Sequence, residues 1–302
     1  MRETEDLMTT TASHVELLDH RSVEWSKVRR SRYWMHQRFV YRYPGSIREL
    51  KQRLVVVPHD YYGNQQLCAY HLLVSTPAAT TTTTTDTFGN RIFQIYIPHV
   101  GSELEFEMRL VIERDLEANG WPRLAAGESA RYLEQTELTS IDAKIAALAE
   151  ELKTQHAEPE ALAEAIHAWV YGAMHYGRGT TNVNTTAAEA LAVGQGLCQD
   201  YAHIMLTICR AAGLPARYVS GHMLGEGASH AWVEVLLPDE QNDYRAVAFD
   251  PTNHRRTTPA YITVAVGRDY RDVSPTSGSF IAPYAGQMTI TKRAGLTDLE
   301  YR

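Results

Sequence analysis

The chain has 302 residues, 44% of them hydrophobic, enough for a substantial buried core in one large domain or two ordinary ones. Its 29 Lys and Arg face 36 Asp and Glu, and the net charge of −7 lacks the basic surplus of nucleic-acid and anionic-membrane binders. The polar opening Met1-Arg-Glu-Thr-Glu-Asp-Leu-Met8 does not read as a secretory leader, no apolar run reaches about 18 residues, and three scattered cysteines make no disulfide framework, so a cytoplasmic protein is expected.

Residues 1 to about 30 carry no sustained period and are expected to fray, with Lys27-Val-Arg-Arg-Ser-Arg32 as a small basic patch. From Tyr33 to Leu116, short segments rich in β-branched and aromatic residues alternate with turn signals: 35–43 before Pro44-Gly45, 50–57 before Pro58, 66–74, 91–97 before Pro98, and 103–114. In the last of these Leu104, Phe106, Met108, Leu110 and Ile112 alternate with mostly charged residues, as a half-solvated antiparallel strand requires. An all-β, sandwich-like domain is therefore expected over residues 1–125. The tract Thr80-Thr-Thr-Thr-Thr-Thr85, followed by the turn-forming Asp86-Thr-Phe-Gly-Asn90, reads as a loop or hairpin tip.

Asn119-Gly120-Trp121-Pro122 and Ala126-Gly127 mark a connection, and residues 126–302 read as a second region with a C-terminal tail. Thr139-Ser-Ile-Asp142 resembles a capping box ahead of a helix with Ile141, Ile145, Leu148 and Leu152 on one face. Pro159 suits the first turn of a second helix, with a stripe of Leu162, Ala165, Ile166, Trp169 and Ala173, and Thr186-Ala-Ala-Glu189 caps a short third that stops at Gly194. The helix after Leu197 is apolar around most of its circumference, with Gln199, His203, Thr207 and Arg210 as a narrow polar stripe, so it should be buried almost all round. Strands are expected at 217–221, 231–237 and 245–249. Helices first and strands second point to an α+β fold.

Cys209, deep in that helix, reads as a small core residue. Cys198 differs because it lies in the first turn, where unpaired N–H groups and the positive end of the helix dipole stabilise a thiolate and form part of an oxyanion clamp. Gln195, Gln199 and Tyr176 are candidates for a second oxyanion donor. A base is needed, and His203, five residues on, lies about 140° around the helix from Cys198. His230 opens the apolar strand 231–237 from the other face. Asp250 ends the strand 245–249 just before Pro251, and antiparallel pairing of the two strands brings it near His230; alone, Asp250-Pro-Thr-Asn253 also reads as a plain turn. A metal site built from Cys198, His222 and His230 matches no usual zinc spacing, and no metal or cofactor is expected.

Gly196-Leu-Cys-Gln-Asp-Tyr-Ala-His203, Gly213-Leu-Pro-Ala-Arg-Tyr-Val-Ser-Gly221, Ser229-His-Ala-Trp-Val-Glu-Val235, Phe249-Asp-Pro-Thr-Asn253 and Val266-Gly-Arg-Asp-Tyr270 together resemble the bacterial transglutaminase-like cysteine protease family over about residues 140–285. Asp86-Thr-Phe-Gly-Asn90 resembles part of the β-rich domain that precedes the core in that family. The resemblance implies a papain-like α+β core with Cys198 as nucleophile, His230 as general base and acid, and Asp250 as orienter. It implies thiol-dependent acyl transfer on a peptide or amide substrate through a thioester. Hydrolysis is expected ahead of protein-glutamine transglutamination, since nothing in the sequence shows a site that excludes water; a non-catalytic binding module on the same fold is the third reading. No nucleic-acid or membrane partner is expected.

Overall fold

The computed structural model describes residues 7–8, 12–118, 122–240 and 243–302. Asn119-Gly120-Trp121, part of the expected connection, and most of the opening residues lie outside them. The first strands are β1 (Val28–Arg42), β2 (Ile47–Leu54), β3 (Tyr61–Tyr62), β4 (Gln65–Val74), β5 (Thr80–Thr85), β6 (Arg91–Val100) and β7 (Glu103–Asp115). The alternation read in β7 holds: Leu104, Phe106, Met108, Leu110 and Ile112 are buried, sharing a core with Tyr33, Met35 and Phe39 of β1, Leu50 and Leu54 of β2, and Phe93, Ile95 and Ile97 of β6. Two sheets thus pack face to face as a sandwich.

Two local expectations change. The basic run at 27–32 does not fray; it lies mostly in β1, where Arg32 pairs across the ladder with Glu113 at 2.8 Å. The threonine tract is no loop: β5 pairs with β6 from Thr80↔Tyr96 to Thr85↔Arg91. Threonine is β-branched and fits the pleat, and its polarity suits an edge strand exposed on both faces.

The second region contains β8 (Arg123–Leu124), α1 (Ala143–Gln155), α2 (Pro159–Ala173), β9 (His175–Tyr176), α3 (Ala187–Val193), β10 (Gln195–Gly196), α4 (Cys198–Ala211), β11 (Ala216–Met223), β12 (Gly225–Glu226), β13 (His230–Pro238), β14 (Tyr244–Asp250), β15 (Arg255–Arg256), β16 (Tyr261–Gly267) and α5 (Tyr270–Val273). Its sheet runs β15-β14-β13-β11-β16, and α4 packs across β13 and β11 within the helical core. The fold is α+β, helices against an antiparallel sheet.

The first helix starts later than expected. Its cap is Asp142, which accepts the Ile145 N–H at 2.8 Å, while the Thr139 hydroxyl accepts from Arg210 at 2.7 Å. The polar stripe of α4 is itself largely buried: the Arg210 guanidinium is spent on Thr139 and on the carbonyls of Tyr132, Ala216 and Arg268. A buried cation with a full set of acceptors does not need water.

The C-terminal strands leave this core. β17 (Thr276–Ile281) pairs with β2, and β18 (Gln287–Tyr301) runs beside β1 from Arg42↔Gln287 to Val28↔Tyr301. Strand pairing therefore puts 276–301 with the sandwich rather than in a tail of the core, because Leu296 and Ala294 complete the apolar core that β1 and β7 begin.

β16 lies at the edge of the core sheet, and side chains of the sandwich stand in for its missing neighbour. Gln65 donates to the Thr263 carbonyl at 2.8 Å and accepts the Thr263 N–H at 3.1 Å; Asn90 does the same for Val266 at 2.7 and 2.9 Å. Asp86 shapes the turn that presents Asn90, accepting the N–H groups of Phe88 and Asn90 at 2.9 Å each. Replacing Asn90 with Ala leaves the Val266 donor and acceptor buried and unpaired, and is expected to lower unfolding free energy by about 2–3 kcal/mol in urea denaturation. Thr82→Ala on the exposed edge should change it by less than about 0.5 kcal/mol.

Candidate active site

The turn carrying Cys198 is fixed from both sides. α3 begins with a capping box between Thr186 and Glu189 and ends at Gly194; β10 then pairs in parallel with β9, Gln195 opposite His175 and Gly196 opposite Tyr176. Asp200, three residues into the next helix, folds back so that its Oδ2 accepts the Leu197 N–H at 2.7 Å and the Thr181 hydroxyl at 2.8 Å. A Cβ on Gly196 would stand 2.5 Å from that oxygen, so only glycine lets the carboxylate approach. Burial holds the Asp200 carboxyl above its ordinary range, against the pull of those hydrogen bonds. α4 consequently starts at Cys198, with the Cys198 and Gln199 N–H groups among those that have no intrahelical acceptor.

His230 is the first residue of β13 and Asp250 the last of β14. The two strands pair antiparallel with Val233 opposite Phe249, which returns the end of β14 to the beginning of β13. His230 Nε2–H donates to Asp250 Oδ2 at 2.7 Å, and Cys198 lies near enough to the same imidazole to favour its charged form. Cys198, His230 and Asp250 are therefore brought together. Gly221, opposite His230 on β11, leaves no room for a side chain: a Cβ would meet the Ile262 carbonyl at 2.1 Å and the Trp232 ring at 2.4 Å.

Asp250 collects donors from three segments. Its Oδ2 also accepts from Tyr261 Oη at 2.6 Å and Asn253 Nδ2 at 2.7 Å, while Oδ1 accepts the N–H groups of Thr252 and Asn253 at 3.0 and 3.2 Å. The turn at Asp250-Pro-Thr-Asn253 is thus real and serves the same carboxylate that holds His230. Arg255 donates to Tyr261 Oη at 2.8 Å from outside, and His167 Nε2 lies 3.0 Å from the Asp250 carbonyl. Burial works against charge on Asp250, but these donors, His230 first, hold it down at about 2. Burial likewise opposes charge on His230, yet Asp250 and Cys198 outweigh it and hold the imidazole up at about 9.

The candidate oxyanion donors separate. Gln199 Nε2 donates to the Val183 carbonyl at 3.3 Å, the Gln195 side chain fills the space beside Gly177, and Tyr176 stands 61% exposed on β9. His203 accepts the Tyr270 N–H at 3.2 Å, and burial pushes it down to about 3; His222 is buried and pushed equally far down. Tyr261, Asn253 and Asp200 were not singled out from sequence. Asp200 had a readable signal, an acid three residues past a helix-opening turn; Tyr261, a residue at the start of an apolar strand, had none.

Residues 146–251 match the sequence model of the transglutaminase-like superfamily, and residues 33–113 match that of the bacterial transglutaminase-like N-terminal region. An uncharacterized protein of Mycobacterium leprae is 35% identical over 178 residues, covering 56% of this chain and 57% of that protein. One from Mycobacterium tuberculosis is 37% identical over 120 residues, covering 36% of this chain and 38% of that protein. The matches thus span about half of these relatives or less. A protein-glutamine gamma-glutamyltransferase of Pseudomonas aeruginosa is 32% identical over 112 residues, 31% of this chain and 16% of that protein. The crystal structure of a protein assigned as a cysteine protease from Cytophaga hutchinsonii superposes with a TM-score of 0.73 at 18% identity, covering 90% of this chain and 93% of the other, a likeness of fold.

The pairing of His230 with Asp250 has a direct pH signature. His230 is raised from 6.5 to about 9, so its contribution to stability is fully present below about 6.5 and is lost as pH rises through about 9. A proton NMR titration should place the His230 ring near 9 in the parent chain. In Asp250→Asn burial and Cys198 persist without the carboxylate, and the midpoint should fall well below 9. An unchanged midpoint would show that the carboxylate does not hold the proton.

Proposed function

The chain belongs to the transglutaminase-like superfamily, and from that premise we propose that it performs thiol-dependent acyl transfer on peptide or amide bonds, ending in hydrolysis, with Cys198 as nucleophile, His230 as proton carrier and Asp250 as orienter. One observation carries this reading: an imidazole anchored by a buried, fully donated-to carboxylate and lying beside a cysteine at a helix N-terminus.

Cys198 Sγ, as the thiolate paired with the His230 imidazolium, adds to the scissile carbonyl. The oxyanion develops beside the N–H groups of the first turn of α4. His230 gives its proton to the leaving amine as the C–N bond breaks, leaving a thioester and a neutral imidazole. That imidazole then takes a proton from water, hydroxide adds to the thioester, and the C–S bond breaks to release a carboxylic acid and restore the thiolate. Asp250 stays ionised throughout and holds the ring by Nε2. Cys198 is only partly buried, which supports water as the acyl acceptor. The glutamyltransferase named among the relatives supplies the competing acceptor, an amine.

At pH 7, iodoacetamide with peptide mapping should label Cys198 well ahead of Cys209, whose thiol burial pushes up to about 12, and of Cys68, which is also raised by burial. Cys198→Ala should abolish hydrolysis of any peptide or amide that the parent chain cleaves, a loss of about 10³-fold or more. Equal, slow labelling of all three cysteines would favour a binding module, and faster joining of an amine probe than hydrolysis would reassign the acceptor.

A further inference from the structure

Four exposed apolar side chains precede the nucleophile within a short span: Tyr171 at the end of α2, Tyr176 on β9, Val183 in the following loop and Val193 at the end of α3. Three of them are tied to the reacting groups. Tyr176, 61% exposed, is locked one ladder spacing, about 4.8 Å, from Gly196 and so beside the Cys198 turn. Val183, 51% exposed, holds Gln199 by its carbonyl. Tyr171, 45% exposed, stacks on the His254 ring at 4.7 Å and 15°, and His254 directly follows Asn253, which donates to Asp250.

Apolar surface in such a position is costly to leave in water and is covered when a substrate side chain lies against it. The segment 165–188 itself contains no Asp or Glu and one Arg, Arg178. An extended peptide advances about 3.3 Å per residue, so a side chain one or two residues from a carbonyl held at Cys198 reaches this rim. Resting on the acyl-transfer reading, we infer that the site takes peptide acyl donors carrying an aromatic or branched aliphatic side chain next to the scissile carbonyl, and disfavours acidic and basic ones. A charged chain of either sign loses hydration against apolar side chains, a cost that an aromatic or aliphatic chain does not carry.

The test uses the full chain and chloromethyl ketones of acetyl-Ala-Ala-X, with X as Phe, Leu, Asp or Lys, following alkylation of Cys198 by intact mass. Rates are expressed relative to iodoacetamide. The Phe and Leu probes should react about tenfold faster than the Asp and Lys probes, and Tyr176→Ser or Val183→Ser should bring the Phe-to-Asp ratio toward one. Rates equal within about twofold across the four probes, or a ratio untouched by both substitutions, would overturn the inference while leaving the nucleophile in place. If iodoacetamide fails to single out Cys198, the acyl-transfer reading falls, and this inference with it.

Discussion

Everything near the candidate site hangs on one buried carboxylate. Taking an ionised Asp250 out of water costs several kcal/mol unless donors replace its hydration, and five hydrogen bonds do so. Those donors come from the start of β13, the turn after β14 and the start of β16. The strands must therefore end where they do for the charge to be tolerated. Placement of His230 is a consequence of satisfying Asp250, so stability of the sheet end and geometry of the site answer to one constraint.

That constraint reaches into the sandwich. Tyr261 is useful to Asp250 only if β16 is held in register, and one flank of β16 is held by Gln65 and Asn90 instead of a strand. The buried Arg217–Glu234 pair at 2.7 Å, with Tyr62 of β3 donating to the same carboxylate, fastens the same face of the core sheet to the sandwich. Neither region positions the site alone. The return of β18 to pair with β1, and the Lys292 ammonium donating to the Met223 carbonyl at 2.7 Å just before the His230 segment, close that linkage from the C-terminal end.

What could be read from sequence follows from periodicity and chain order. The alternation in β7, Pro159 at the start of α2, the Thr186 cap and the first-turn position of Cys198 are local patterns, and each stands as read. Thr80–Thr85, read as a loop or hairpin tip from its low complexity and the turn residues after it, is the strand leading into the turn at 86–90, where backbone preference decides. His203 and Arg210 were legible as polar but not as buried, because their partners lie far along the chain: Tyr270 for His203, Tyr132 and Arg268 for Arg210. Tyr261 escaped for the same reason. The strand-end logic that joins His230 to Asp250 is simple enough to see in advance, but the third and fourth groups around the carboxylate depend on side-chain reach that no spacing reports.

The histidines of this chain show what that carboxylate does. His203, His222 and His230 are all withdrawn from water, and burial by itself disfavours the imidazolium in each. For His203, with Arg210 and Arg271 as its charged neighbours, and for His222, with Lys292, nearby positive charge adds to burial and both fall to about 3. His230 is also opposed by burial yet ends near 9, because an ionised carboxylate and the Cys198 sulfur flank it. The opposite directions in which these rings are moved therefore follow the sign of their charged neighbours. Since Asp250 is itself held down at about 2 by donors other than His230 as well, it keeps its charge whether or not the imidazole is protonated. The ring can then exchange protons with the groups on its Cys198 side while its other nitrogen stays anchored, which is the property a proton carrier in acyl transfer requires.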